Sequence, residues 1–437
     1  MIGNIKNKLS ATYQKVVSSI AFYPSFILVG FIVLAGTMLS VEDQKMTKFL
    51  LDKAPFLVIN NADTARALLA TLIGGLLSLM VFSFSMVMMI LNQASSNFSP
   101  RLLPGLVSDK WNQIVLGTYL GTIVYNILIL MSVLPDGNKY TLNGLSILLG
   151  IILAMVCLIL FIYFIHTISN GIQINNILNK IFDQTKKRIN YLLDKKRQKT
   201  DIPQISDDEW HFIKSTDAGF YQGINLNGLL DYCDENEVHI KIIPHKGDYQ
   251  LPRTDMFAIT KNLSEEEAES LREYFIYASS HDVSDNHVLG IRQITEVGVK
   301  AMSPGINDPG TAAITIDYLT ELIALRMRLN EREVYQKDEG KYTLQMRSVP
   351  FKKLMHDLLA AYRQYCKHDI ILMEKIISML LYLIDQKVQS EDYYTILKKE
   401  LHIVKEDIEK NINNTADKNS LLDSIGDDLL EIETEQS

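Results

Sequence analysis

The side chains best placed to do chemistry are amides and one imidazole, gathered where long apolar runs give way to polar sequence. Asn92 and Gln93 follow the uncharged run 67–91, Asn112 and Gln113 precede a third such run, and His166, Asn170 and Gln173 close a fourth. Amides offer both donors and acceptors, so a ring of them can stand in for part of the hydration shell of an ion or small solute. The imidazole adds a proton acceptor. The central part of each run holds no Asp, Glu, Lys or Arg, which argues against a pump built on buried carboxylates. The same amides serve equally well as caps and water-binding groups at helix ends, where backbone groups need partners.

Catalytic and metal chemistry find no comparable support. There is no GxGxxG opening a helix after a strand, no Walker-type GKS/T, no GxSxG and no HExxH. His356-Asp357 and His368-Asp369 lack the paired-ligand spacing of a zinc site. Cys157, Cys233 and Cys366 are widely separated, with no CxxC and no even-numbered framework, which fits a reducing cytoplasm. The expectation is a non-enzyme with no catalytic residue, no bound metal and no cofactor.

What must hold these groups is a membrane bundle. Runs at about 20–40, 65–91, 113–134 and 145–168 each reach the roughly 20 residues that a bilayer core requires. On the second, Thr71, Gly74, Gly75, Ser78, Ser83 and Ser85 make a small-residue face suited to contact with other helices; Gly117 and Gly121 make a small-xxx-small pair on the third. Charge divides the chain: residues 1–170 hold 10 basic and 6 acidic residues, the remainder 33 and 45. Lys6, Lys8 and Lys15 lie on the same side as the cluster from Lys186 to Lys199 for an even number of crossings, and the positive-inside rule makes that side cytoplasmic. Both termini are therefore expected in the cytoplasm, with the protein in the cytoplasmic membrane.

The fold class expected is an α-helical integral membrane protein with four transmembrane helices and a C-terminal cytoplasmic mixed α/β, mainly helical, domain. Its parts are a transmembrane domain at 1–170, a helical basic extension at 171–200 running on from the fourth span, a small α/β module at 201–262, and a mainly helical domain with an acidic tail at 263–437. Ser264 with Glu267 spells a capping box, and Asn225 or Asn227 can cap the helix before it. Beyond Val404 there are 10 acidic and 3 basic residues, and an acidic soluble half offers no footprint for nucleic acid.

The stretch from Asp285 to Leu329 is the most distinctive. Gly290-Ile291-Arg292-Gln293, then Ser303-Pro304-Gly305-Ile306-Asn307-Asp308-Pro309, together with Asn97-Phe98-Ser99-Pro100-Arg101-Leu102 and Gly219-Phe220-Tyr221-Gln222-Gly223-Ile224, resembles the DUF2254 family of predicted bacterial membrane proteins. The resemblance implies a multi-span N-terminal half and carries no established activity. Read physically, Ser303-Pro304-Gly305 ends one helix, and Asn307 or Asp308 caps the next with Pro309 in its first turn. Arg292, Asn307 and Asp308 are expected as buried polar fasteners. Four thin helices seldom enclose a path alone, so the function expected is a homo-oligomeric channel or transporter-like protein whose cytoplasmic half gates or assembles it. Its partners would be the lipid bilayer, further copies of itself and an ion or small solute. The alternative is a non-transporting sensor or scaffold whose cytoplasmic domain binds a partner.

Overall fold

The computed structural model describes residues 22–41, 59, 61–97, 110–133, 144–171, 173–195, 205–206, 209–278, 286–337, 340–386 and 391–426. The chain divides into two compact units, Met1–Asn176 and Ile177–Ser437.

The first unit is built from α1 (Phe22–Val41), α2 (Ala62–Asn97), α3 (Lys110–Ser132) and α4 (Gly144–Gly171). Each carries a stretch long and apolar enough to cross a membrane: Phe22–Val41, Ala62–Met89, Lys110–Ser132 and Gly144–Ile168. Helix α3 is central and packs against the other three. Its glycines permit this. A Cβ on Gly117 would stand 2.8 Å from the Cα of Pro24, and one on Gly121 would stand 2.7 Å from the Phe31 ring, so bare backbone lets α1 come close. Leu76, Tyr119, Ala154 and Phe164 fill one part of the interior, and Leu69, Tyr125, Ile129 and Ile147 another.

The small-residue face of α2 departs from expectation. Thr71, Gly74, Gly75, Ser78 and Ser85 are exposed, and among the described residues nothing lies within 4 Å of a Cβ built on Gly74 or Gly75. Leu69, Leu76 and Ser83 turn inward instead. Without a hydrophobic driving force between helices in lipid, dispersion contact decides, and leucines fill the groove better than glycines do.

The expected continuous helix out of the fourth span is also corrected. Helix α4 ends at Gly171, Gln173 is not helical, and α5 (Ile174–Lys195) starts anew with the Asn176 amide donating to the Gln173 carbonyl at 2.9 Å. The break follows Gly171, where glycine costs about 1 kcal/mol of helix propensity and the sequence changes from predominantly apolar to amphipathic.

The second unit continues through β1 (His211–Lys214), β2 (Gly219–Ile224), α6 (Leu226–Asn236), β3 (Ile240–Ile242), β4 (Tyr249–Gln250), β5 (Asp255–Ile259), α7 (Glu265–Arg272) and β6 (Phe275–Ala278). Then come α8 (His287–Ala301), α9 (Pro309–Arg326), β7 (Arg332–Tyr335), β8 (Leu344–Arg347), α10 (Phe351–Cys366), α11 (Ile370–Ile384), α12 (Glu391–Asn411) and α13 (Thr415–Asp423). One sheet has the order β1-β5-β3-β8-β7, with β3 and β8 parallel; a second has the order β4-β2-β6. Strands β7 and β8, from residues 332–347, thus complete a sheet whose other strands all precede residue 260. Leu229, Ile240, Ile242, Phe257, Ile259, Phe275 and Leu344 form its core.

Local signals act as the sequence implies. Asn225 caps α6 through Gly228 N at 3.2 Å, and Ser264 and Glu267 close both bonds of the capping box. Helices α8, α9 and α10 meet at Gly298, where a Cβ would fall 2.8 Å from Tyr362 Cζ and closer still to Tyr362 OH and Thr315 Oγ1. Those two hydroxyls hydrogen-bond at 2.7 Å.

Candidate ligand pocket of the C-terminal unit

Strand β2 carries the first wall of a cavity of about 280 Å³. A bulge between Tyr221 and Gly223 breaks its register with β6, so Tyr221 is sunk in the core while Gly223, at φ +156°, leaves room beside Lys246; a Cβ there would lie 4.0 Å from Lys246 Nζ. The loop after β3 closes over this strand. Gly247 N donates to the Tyr221 carbonyl at 2.7 Å, and Tyr221 N donates to the Asp248 carbonyl at 2.9 Å. Gly247 sits at φ +95°, a conformation that favours glycine. Within the loop, Asp248 Oδ2 takes both the backbone N–H and Nδ1 of His245, each at 3.0 Å. Burial pushes the Asp248 carboxyl up, but the bonds from His245 and the charge of Arg292 outweigh it and hold the group below its ordinary value.

The start of α8 supplies the floor. Asn286 caps the helix through Val288 N at 3.1 Å and Leu289 N at 3.3 Å, and its Nδ2 ties the helix to the Lys246 carbonyl at 3.1 Å. His287 follows, 6% exposed, and its Nε2 is buried without a hydrogen-bond partner. Burial, reinforced by the charges of Arg326 and Arg188, lowers its pKa to about 3, so the ring is neutral at physiological pH. Arg326 is itself fully buried and spends its guanidinium on the Leu329 carbonyl, Ser348 Oγ and the Val349 carbonyl.

Helix α5 contributes Arg188 and Leu192, and strands β7 and β8 contribute Glu333, Tyr335 and Arg347. Three cations, Arg188, Lys246 and Arg347, therefore line the cavity against one carboxylate, Glu333, to which the Tyr335 hydroxyl donates. The Tyr221 hydroxyl is buried and unpartnered; burial first, then Tyr277 and Glu333, push its pKa up and keep it protonated. No cysteine lines the cavity, and no group of three His, Cys, Asp or Glu side chains among the described residues can hold a metal ion.

A family model described as "Predicted membrane protein (DUF2254)" matches residues 17–382. The chain belongs to the DUF2254 family. Uncharacterized proteins from two strains of Mycobacterium tuberculosis and from Mycobacterium bovis are each 23% identical to it over 359 residues, covering 79% of this chain and 68% of theirs. No solved structure matches it.

The DUF2254 motif residues fall in two places. Gly219–Ile224 becomes β2 and walls the pocket. Gly290 and Gln293 are buried on α8, and Arg292 is half-buried beside Asp248. The remainder builds the α8–α9 turn at the far end of α8, about 21 Å from His287 at helical rise. There Ile306 N and Asn307 N both donate to the Ser303 carbonyl at 3.0 Å, and Pro304 is exposed. Asn307 takes φ +49°, Asp308 caps α9 through Thr311 N at 3.0 Å, and Pro309 opens the helix. The expectation of buried fasteners is corrected: Asn307 is exposed and Asp308 half-buried, because a turn between two helices stands proud of the core, and Arg292, within α8, is half-buried as well. Ser99, Pro100 and Arg101, with the bend expected there, lie outside the described residues.

The vestibule residues are dispersed by exposure. Gln113 is buried with Oε1 unpartnered and Asn112 is half-buried, whereas Asn92, His166 and Gln173 are exposed; the side chains of Gln93 and Asn170 lie outside the described residues. Sequence reasoning singled out β2 through its motif but missed Arg188, Lys246, His287 and Glu333. They are drawn from four separated segments, and only the Asn286 cap, visible as Asp-Asn-His before an apolar helix, marked any of them.

Proposed function

We propose that this DUF2254 protein is a multi-pass membrane receptor whose C-terminal unit, on the cytoplasmic side, binds a small polar ligand. The observation that carries this reading is the 280 Å³ cavity of the C-terminal unit, which charged side chains of four separated segments, Arg188, Lys246, Glu333 and Arg347, line together with Asn286, His287 and Tyr335. The family description and four apolar helices support membrane residence, and the lysine distribution supports cytoplasmic termini. The test is thermal unfolding of the full chain in nanodiscs against a panel of sugar phosphates, nucleoside monophosphates, dicarboxylates and amino acids. At least one class should raise the midpoint, and Val288→Trp, which fills the cavity, should abolish the rise. A panel without effect, or a rise that survives Val288→Trp, sinks the receptor reading.

A second reading, the homo-oligomeric channel or transporter-like protein, is favoured by two observations in the first unit. On the α2 stripe Thr71, Gly74, Gly75 and Ser78 are exposed, and no described residue lies within 4 Å of a Cβ built on either glycine, which suits close packing with a second copy. Gln113 Oε1 and Asn126 Oδ1 are buried without partners, which suits water or an ion in the bundle. Ion or solute flux into liposomes containing the protein, lost on Gln113→Leu with folded yield intact, would promote this reading over the receptor; tight liposomes would remove it.

A further inference from the structure

We infer that α12, with α13 behind it, is a releasable strap over a helix-binding groove between α10 and α11, and that an amphipathic helix of a partner, carrying a carboxylate to Arg363, takes its place. Helix α12 packs against both α10 and α11, and α13 packs against α11 and α12. The stretch that matches the DUF2254 model closes at Tyr382, in the last turn of α11, so both strap helices stand outside it. Tyr393, Leu397, Leu401, Val404 and Ile408 recur at helical spacing and are buried, as the apolar stripe of a helix in a groove must be. Phe351 of α10 receives the first of them, its ring centroid 4.3 Å from that of Tyr393. On the outward face Glu406 pairs with Lys410 at 2.7 Å and with His402 at 3.6 Å, within α12 itself, and pairs at this spacing support a helix in water. None of these side chains lines the cavity, so the strap is independent of the receptor reading.

The seam beneath the strap is weaker than its apolar residues imply. Glu400, on the buried face of α12, is 6% exposed and meets Arg363 of α10. Arg363 Nη1 lies 3.6 Å from Glu400 Oε2, Arg363 Nε lies 3.5 Å from Asp407 Oδ2, and His356 Nδ1 lies 3.8 Å from Glu400 Oε1. These are ion-pair contacts without hydrogen bonds, for Arg363 Nε, Arg363 Nη1 and Glu400 Oε2 are all buried and unpartnered. Charges taken out of water regain their lost hydration only where hydrogen bonds complete the pair, so an apolar seam of the same shape would hold α12 more firmly. A partner helix that brings its carboxylate within hydrogen-bond reach of Arg363 gains what α12 forgoes.

The experiment is hydrogen exchange on the full chain in nanodiscs, followed by binding of a labelled synthetic peptide with the sequence of α12, Glu391–Asn411. In the parent, amides of α12 should exchange through a local opening about tenfold faster than those of α10 and α11. Arg363→Met, which leaves Glu400 buried without its cation, should speed α12 about tenfold further and leave α10 and α11 unchanged, whereas Arg363→Met/Glu400→Leu, which makes the seam apolar, should slow α12 below the parent. Leu401→Asp should free the strap with the groove intact, so the peptide should bind that variant, and a peptide carrying the same change should not. Exchange of α12 in step with α10 and α11 in the parent and the Arg363 variants makes it part of the core and overturns the strap. Loss of protection in α10 and α11 on Leu401→Asp does the same. A strap that opens over a groove to which the peptide does not bind overturns the partner helix.

Discussion

His287 should make the C-terminal unit sensitive to acid well before its carboxylates do. An imidazole in the unfolded chain titrates near pH 6.5, whereas in the folded protein burial and the charges of Arg326 and Arg188 lower it to about 3. Below pH 6.5 the unfolded state takes up a proton that the folded state refuses, so this contribution is intact above 6.5 and is lost progressively down to about 3. Each unit costs about 1.4 kcal/mol, so moving from pH 7.5 to 5.0 removes about 2 kcal/mol. For a unit of this size that is roughly 4–8 °C in the unfolding midpoint. His287→Gln keeps a polar side chain but cannot titrate, and it should lose that part of the acid shift. His239 is lowered by burial as well and acts in the same window, so His239→Gln is the parallel control. Asp248 and Asp308, both lowered, keep their contributions until the pH falls into the ordinary carboxylate range and lose them below it, so they do not blur a comparison of pH 7.5 with 5.0. The measurement is the midpoint of full chain in detergent at pH 7.5 and 5.0 by intrinsic fluorescence. An acid shift in His287→Gln equal to that of the parent would refute the reasoning.

Three further outcomes follow from close packing and buried charge. Gly298→Ala drives a methyl into Tyr362 and Thr315, and overpacking of this kind costs about 1–3 kcal/mol, partly relieved in the Gly298→Ala/Tyr362→Phe double variant; additive midpoints would count against it. Arg326→Met leaves the Leu329 and Val349 carbonyls without their donor, so the midpoint should fall by the equivalent of a few kcal/mol and the His287 pKa should rise without reaching its free value, since burial remains. Gly117→Leu should cost folded yield by pushing against Pro24, whereas Gly75→Leu should leave the monomer's midpoint unchanged and dissolve any dimer seen by light scattering.

Much of the candidate site was beyond linear reading for a geometric reason. Arg188 lies on α5, Lys246 in a loop, His287 at a helix start and Glu333 on β7, and no periodicity connects them. Each alone resembles an ordinary surface charge or core histidine. The amides at the ends of the apolar runs looked like a constellation because each stands where an apolar run meets polar sequence, yet position along a helix does not set azimuth around it: Gln113 turns inward while Asn92 and His166 do not. Likewise the motif from Ser303 to Pro309 is specific in sequence because a tight turn needs Asn307 at positive φ, a cap at Asp308 and a proline after it, not because it touches the pocket.

Apolar length and end chemistry are local quantities, so the sequence alone determined the four candidate spans, the Ser264-Glu267 box and the family, and narrowed the α9 cap to Asn307 or Asp308. Tertiary structure decided what depends on distance between segments. It put Leu69 and Leu76 rather than Gly74 and Gly75 against the bundle, because filling a groove depends on its partner's shape. It brought β8 beside β3, with β7 on its outer edge, because a parallel pairing joins strands far apart in the chain. And it left His287 neutral, because the pKa of a buried ring is set by the dry core and the arginines that folding places around it.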